Sequence, residues 1–248
     1  MTDAAANLQI VEDAAALAER VARHFADTAR HATDVRGAFY VALAGGTTPA
    51  AAYSLLATSA FDDLAWPKMR FFFGDERCVP PDDDRSNFKM ASGALLAPRK
   101  IEPDQIFRMQ GELDPTTAAR LYADALAQQL GEIPRFELIL LGMGPDGHTA
   151  SLFPGTDPTT DEELLVRAPY VAKFATHRIT LTPLVINAAR RVAIATAGEE
   201  KADALAHALR GPYDPTTYPV QIVQPVEGIL NWFVDKAAAS RLSAQPAT

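Results

Sequence analysis

Asp146-Gly147-His148 puts a carboxylate two positions from an imidazole, inside the turn Gly142-Met143-Gly144-Pro145-Asp146-Gly147-His148-Thr149. Imidazole is the side chain best suited to take a proton near neutral pH, and a neighbouring carboxylate fixes its tautomer and raises its basicity. Ser151 would allow a Ser-His-Asp arrangement, but the chain has no Gly-x-Ser-x-Gly elbow to present a serine nucleophile. Water activated by His148, with Asp146 as its partner, is therefore the expected chemistry.

Two further segments carry polar groups directly after apolar runs. Ala44-Gly45-Gly46-Thr47-Thr48-Pro49 pairs glycines with hydroxyls at a helix start, a combination that can cradle phosphate through free N-H groups. It is neither a Walker loop nor a dinucleotide fingerprint, and a plain strand-to-helix turn accounts for it equally well. In Phe73-Gly74-Asp75-Glu76-Arg77-Cys78-Val79-Pro80, Arg77 reads as a ligand clamp and Asp75 as its orienter or a hydroxyl acceptor. Asp82, Asp83 and Asp84 read as a solvated acidic loop outside any known metal-loop spacing, and Cys78 as a packing residue. Later cations are Arg178 and Lys201. A lysine in the first turn of a helix opposes the helix dipole, so Lys201 either meets an anion or lies at the surface. His24, His31 and His207 fall on helices and read as solvated; His177 stays open.

The elements that would hold these residues alternate. Val11 to Ala29 has the apolar spacing of an amphipathic helix. Phe39 to Leu43, Met69 to Phe73, Phe136 to Leu141 and Arg191 to Ala195 read as buried strands, and the first three stop at glycines. Between and after them, helices are predicted from Thr48-Pro49, from Ser86 through Leu96, from Asp114-Pro115 through Leu130, and from Gly198 to Leu209. Strand-helix alternation predicts an α/β fold with a mostly parallel central sheet flanked by helices, as one domain over 1–248. Ligands of such sheets bind beyond the carboxyl ends of the strands, where all of the singled-out loops lie.

Composition narrows the class of partner. A net charge of -8 over 248 residues disfavours nucleic acid and anionic membranes, while a few converging cations can still bind a small anion. One cysteine excludes an internal disulfide and fits a reducing, cytoplasmic setting. Met1-Thr2-Asp3-Ala4 lacks the basic start of a signal peptide, and no run approaches the ~18 apolar residues of a membrane span.

Taken together, the Gly45 loop, the Asp75-Glu76-Arg77-Cys78-Val79-Pro80 segment with Ser86-Asn87, and Leu140 to Gly155 resemble the 6-phosphogluconolactonase family. Arg178-Ile179-Thr180-Leu181-Thr182 and the Gly198/Lys201 helix start extend the resemblance through the C-terminal half; Thr47 replaces the usual serine and keeps the hydroxyl. The resemblance implies a Rossmann-like domain related to glucosamine-6-phosphate deaminase and ribose-5-phosphate isomerase. It implies hydrolysis of 6-phospho-D-glucono-1,5-lactone in the oxidative pentose phosphate pathway, with no metal or organic cofactor; the sequence leaves monomer and homodimer open. Gly45, Gly46, Thr47 and Thr48 with Arg178 and Lys201 would hold the phosphate. His148 would be the base, Asp146 its partner, and Arg77 the oxyanion or hydroxyl donor, with amides of the Gly144 turn beside it. The deaminases read approximately Ile-Ala-Phe-Asn-Glu-Pro after the histidine; here Phe153 takes the glutamate position, which favours lactone hydrolysis over isomerisation. A non-catalytic sugar-phosphate sensor is the remaining alternative, but no helix-turn-helix extension accompanies the chain.

Overall fold

The computed structural model describes residues 7–156 and 163–242; Met1 to Ala4, considered above, lie outside them. In chain order the elements are β1 (Leu8–Val11), α1 (Ala14–Arg36), β2 (Phe39–Leu43), α2 (Thr47–Leu56), β3 (Met69–Phe73), β4 (Asp75–Arg77), α3 (Asn87–Ala91) and α4 (Pro115–Leu130). They continue with β5 (Leu138–Gly142), β6 (Val166–Arg167), β7 (Tyr170–Val171), β8 (Thr176–Leu181), α5 (Pro183–Ala188), β9 (Arg191–Thr196), α6 (Ala202–Arg210) and β10 (Ile229–Asp235).

Six strands form a parallel sheet in the order β1-β10-β9-β5-β2-β3. Strands β2, β3, β5 and β9 are mostly apolar on both faces, and helices cover both. Phe71 and Phe73 point into the layer of α1 and α2, whereas Phe72 faces α4 and stacks on Phe107 with centroids 4.5 Å apart. The same alternation divides Leu138 and Leu140 from Ile139 and Leu141. A second, antiparallel sheet joins β4, β8 and β6, with β7 paired to β8. It begins where β3 ends, through the Leu181 amide donating to the Gly74 carbonyl.

Several expectations change here. Val11 ends a strand; α1 starts at Ala14, where the Asp13 carboxylate accepts from the Ala16 amide. The second helix is capped by Gly46, at φ 99°, so Thr47 and Thr48 form its first turn with no side-chain cap. Asp75 to Arg77 is strand, not loop. His24 is not solvated. It packs on Phe233 with its Nε2 unpartnered among the described residues, and burial, then Arg20 and Arg191, push its pKa down to about 4. Ser86 and Asp114 cap their helices as expected, accepting from the Lys89 and Thr117 amides. Among the described residues no helix is long and apolar enough to cross a membrane.

Candidate active site

Strands β2, β3, β5 and β9 all end at one rim of the parallel sheet, and the segments that follow them line a cleft of about 340 Å³. Two buried tyrosines fix the first two exits. The Tyr53 hydroxyl accepts from the Ala44 amide and donates to its carbonyl at 2.9 and 3.0 Å. Tyr122 does the same for Phe73 at 2.7 and 2.9 Å. Strand-end backbone groups that would otherwise be buried without partners are thereby satisfied, and the loops leave from rigid points.

After β5 the chain folds back on itself, with the Gly144 amide donating to the His148 carbonyl at 2.9 Å. This brings Asp146 Oδ1 to 2.5 Å from His148 Nδ1. A carboxylate there accepts a hydrogen bond from Nδ1–H and leaves Nε2 as the basic nitrogen. Gly144 is required: a Cβ at that position would lie 2.1 Å from the imidazole and 2.8 Å from the carboxylate. The other oxygen, Asp146 Oδ2, accepts from Lys173 Nζ at 2.9 Å. Burial works to raise the Asp146 pKa, but the Lys173 and His148 bonds outweigh it and hold the carboxyl at about 2. Phe153 stacks on the His148 ring, centroids 4.3 Å apart and planes 26° from parallel.

Ser151 is turned away from the histidine. Its hydroxyl donates to Asp75 Oδ2 at 2.7 Å, and Asn87 Nδ2 donates to Asp75 Oδ1 at 3.2 Å. Asn87 also fills the space beside Gly45, where a Cβ would come within 1.9 Å of its side-chain oxygen. The Gly45 loop, Asp75 and the His148 loop are thus tied together through two neutral side chains. On the opposite side of β4, buried Glu76 accepts from the amides of Arg77, Asn87 and Phe88 and from the Ser86 hydroxyl at 2.7–3.0 Å. Alternation along a strand then leaves Asp75 and Arg77 on the face away from Glu76, which is the cleft side.

The cations converge. Arg77 and Arg178 are directly opposite each other in the β4-β8 ladder, an arrangement that costs stability unless an anion intervenes. Burial, and then the charge of Arg77, lower the Arg178 pKa. Arg178 lies over the Phe174 ring at 5.1 Å, and Arg77 donates to the Arg85 carbonyl. Lys201 closes the set at the turn before α6. Among the described residues none of the three is ion-paired with a carboxylate.

Every residue singled out from sequence for the site, namely Gly45, Gly46, Thr47, Thr48, Asp75, Arg77, Gly144, His148, Arg178 and Lys201, lines this cleft, and Asp146 adjoins it through His148. Asp75 is held by Ser151 and Asn87 and makes no hydrogen bond to Arg77 among the described residues. Lys173 and Phe174 also belong to the site, and nothing in the sequence around them marks them as such. No group of three or more His, Cys, Asp and Glu side chains among the described residues could hold a metal ion.

The family model described as glucosamine-6-phosphate isomerases/6-phosphogluconolactonase matches residues 12–232. The chain belongs to this family. A 6-phosphogluconolactonase of Synechocystis is 40% identical over 212 residues, 84% of this chain and 86% of its own. The solved 6-phosphogluconolactonase of Trypanosoma cruzi superposes with a TM-score of 0.84 at 27% identity, covering 96% of this chain and 97% of that one. A monomeric glucosamine-6-phosphate deaminase, 20% identical, superposes with a TM-score of 0.80 over 95% of this chain and 99% of its own, which shows the common α/β fold.

Proposed function

We propose that the protein hydrolyses 6-phospho-D-glucono-1,5-lactone to 6-phospho-D-gluconate, a step of the oxidative pentose phosphate pathway, as one lactonase domain spanning 1–248. The observation that carries the choice within the family is Phe153 lying flat on His148. An apolar ring at that place supplies no second carboxylate for the proton relays of ring opening and isomerisation, and it leaves an imidazole-carboxylate pair able to activate water.

A δ-lactone is an activated ester, so positioned water, a base and an oxyanion donor suffice. His148 Nε2 takes a proton from the attacking water as oxygen bonds to the lactone carbonyl carbon. The carbonyl electrons move to oxygen, where the Arg77 guanidinium and amides of the Gly142–Gly147 turn stabilise the charge. Collapse breaks the bond to the ring oxygen, and the imidazolium returns its proton to that leaving alkoxide. Asp146, held ionised well below neutrality, balances the imidazolium between these steps. At the far end, Arg178, Lys201, the Thr47 and Thr48 hydroxyls and the amides opening α2 bind the phosphate. Binding energy gathered there orients the reacting carbonyl. Asp75, fixed by Ser151 and Asn87, accepts a sugar hydroxyl.

The partner is a small phosphorylated lactone, and no metal or organic cofactor takes part. A cytoplasmic setting fits the unpaired Cys78. The test is a coupled assay for 6-phosphogluconate, with lactone supplied fresh and spontaneous opening subtracted. Enzyme-dependent product formation is expected; a rate equal to the blank, with the sugar phosphate merely bound, would identify a sensor instead.

A further inference from the structure

The turn between β7 and β8 reaches back over the histidine, and two adjacent side chains on it grip two different parts of the site. Lys173 donates to Asp146 Oδ2 at 2.9 Å. Phe174 meets Phe153 edge-on, centroids 5.7 Å apart, and lies beneath the Arg178 guanidinium. The Lys173 ammonium itself lies 5.6 Å from the Phe174 ring, so both side chains belong to one contact. The turn closes through Ala175 at φ 48°, a left-handed conformation that only a surrounding structure holds for a residue with a Cβ.

We propose that Lys173 is a positioning residue for the His148 base: by holding one oxygen of Asp146, it aims the other at Nδ1. A carboxylate can rotate about its last bond, and a base bound to only one oxygen leaves that rotation open. Tethering both oxygens closes it, in the way that outer partners of a ligating or catalytic histidine fix its ring and tautomer. Among the described residues the charged groups that contact Asp146 are His148 from its own loop and Lys173 from the β7-β8 turn; Arg178, over the Phe174 ring, and Arg77 line the cleft. Lys173 is half-exposed, so its replacement should leave the fold intact. This inference rests on the lactonase reading, since the base it positions is the one assigned there.

Lys173→Met tests it alongside Lys173→Arg. The methionine variant should lose about tenfold in kcat, a fraction of the hundredfold or more tied to the base itself, with KM within twofold. Lys173→Arg, which restores a donor and the charge, should recover most of the rate. In proton NMR the far-downfield Nδ1 proton of His148 should be present in the wild type, weaken in Lys173→Met and return in Lys173→Arg. A Lys173→Met enzyme with unchanged kcat and an unchanged Nδ1 resonance would overturn the positioning role while leaving the lactonase reading intact. So would a change confined to KM. A wild type without lactonase activity would strike the functional reading instead, and the NMR comparison would still decide the tether.

Discussion

Two clusters of positive charge, at opposite ends of the parallel sheet, are treated in opposite ways. At the amino end, Arg36 and Arg190 close on Glu137, whose side chain is only 6% exposed, and Arg135 pairs with Glu227. At the carboxyl end, Arg77, Arg178 and Lys201 line a cleft without an ion pair to any described carboxylate. Arg77 and Arg178 even oppose each other directly. A charge cluster that supplies its own counter-ions is complete and serves the fold. One that leaves its cations unmatched is complete only with an anion from outside, and the paired arginines accept a stability cost for it.

This contrast can be broken first at the carboxyl end. Asp146→Asn keeps the shape of the side chain but removes the charge proposed to balance the imidazolium. It should lower kcat by on the order of a hundredfold or more, with KM little changed in steady-state kinetics. Because Asp146 is held down to about 2, its protonation should leave the activity profile near neutral pH unaffected.

At the amino end the same kind of substitution should act on stability alone. Glu137→Gln strands two arginines beside a nearly buried amide and should cost about 2–4 kcal/mol in denaturant unfolding, with kcat/KM unchanged for the remaining folded protein. An effect on turnover comparable to that of Asp146→Asn would erase the distinction between the two regions.

His24 extends that comparison to pH. Its folded pKa, about 4, lies below the ordinary 6.5, so between those values the unfolded chain binds more protons than the folded one. Stability should therefore fall as pH drops from 6.5 toward 4, by at most about 3 kcal/mol. His24→Phe should flatten this dependence in urea midpoints taken at pH 7 and pH 5.

A smaller effect belongs to the end of the cleft proposed to bind phosphate. Lys201→Ala should raise KM about tenfold, the worth of one charged hydrogen bond, and leave kcat within twofold. Smallest of all, chelation by EDTA should leave activity unaltered; loss restored by a divalent ion would reject the metal-free mechanism.

The sequence reveals some parts of this arrangement and conceals others for physical reasons. Strands buried on both faces, such as Phe71-Phe72-Phe73 and Leu138 to Leu141, announce themselves as apolar runs. The caps Ser86 and Asp114 do so through their side-chain chemistry. Edge strand β1 is half-exposed and its Val11 mimics helical spacing, so it blends into α1. Strand β10 is interrupted by Asn231, and β4 is three charged residues whose strand character comes only from pairing with β8. In the site, glycine turns and a histidine beside a carboxylate are local signals. The Lys173-Asp146 bond spans 27 positions and the Ser151-Asp75 bond 76. No spacing rule reaches that far, and His24 looks like a surface residue until Phe233 is packed against it.

The most direct measurement is the coupled 6-phosphogluconate assay on His148→Ala beside the wild type, with spontaneous opening subtracted from both. The wild type should accelerate lactone opening, and His148→Ala should lose on the order of a hundredfold or more of that kcat, as expected for a general base. A His148→Ala enzyme that turns over at close to the wild-type rate would contradict it.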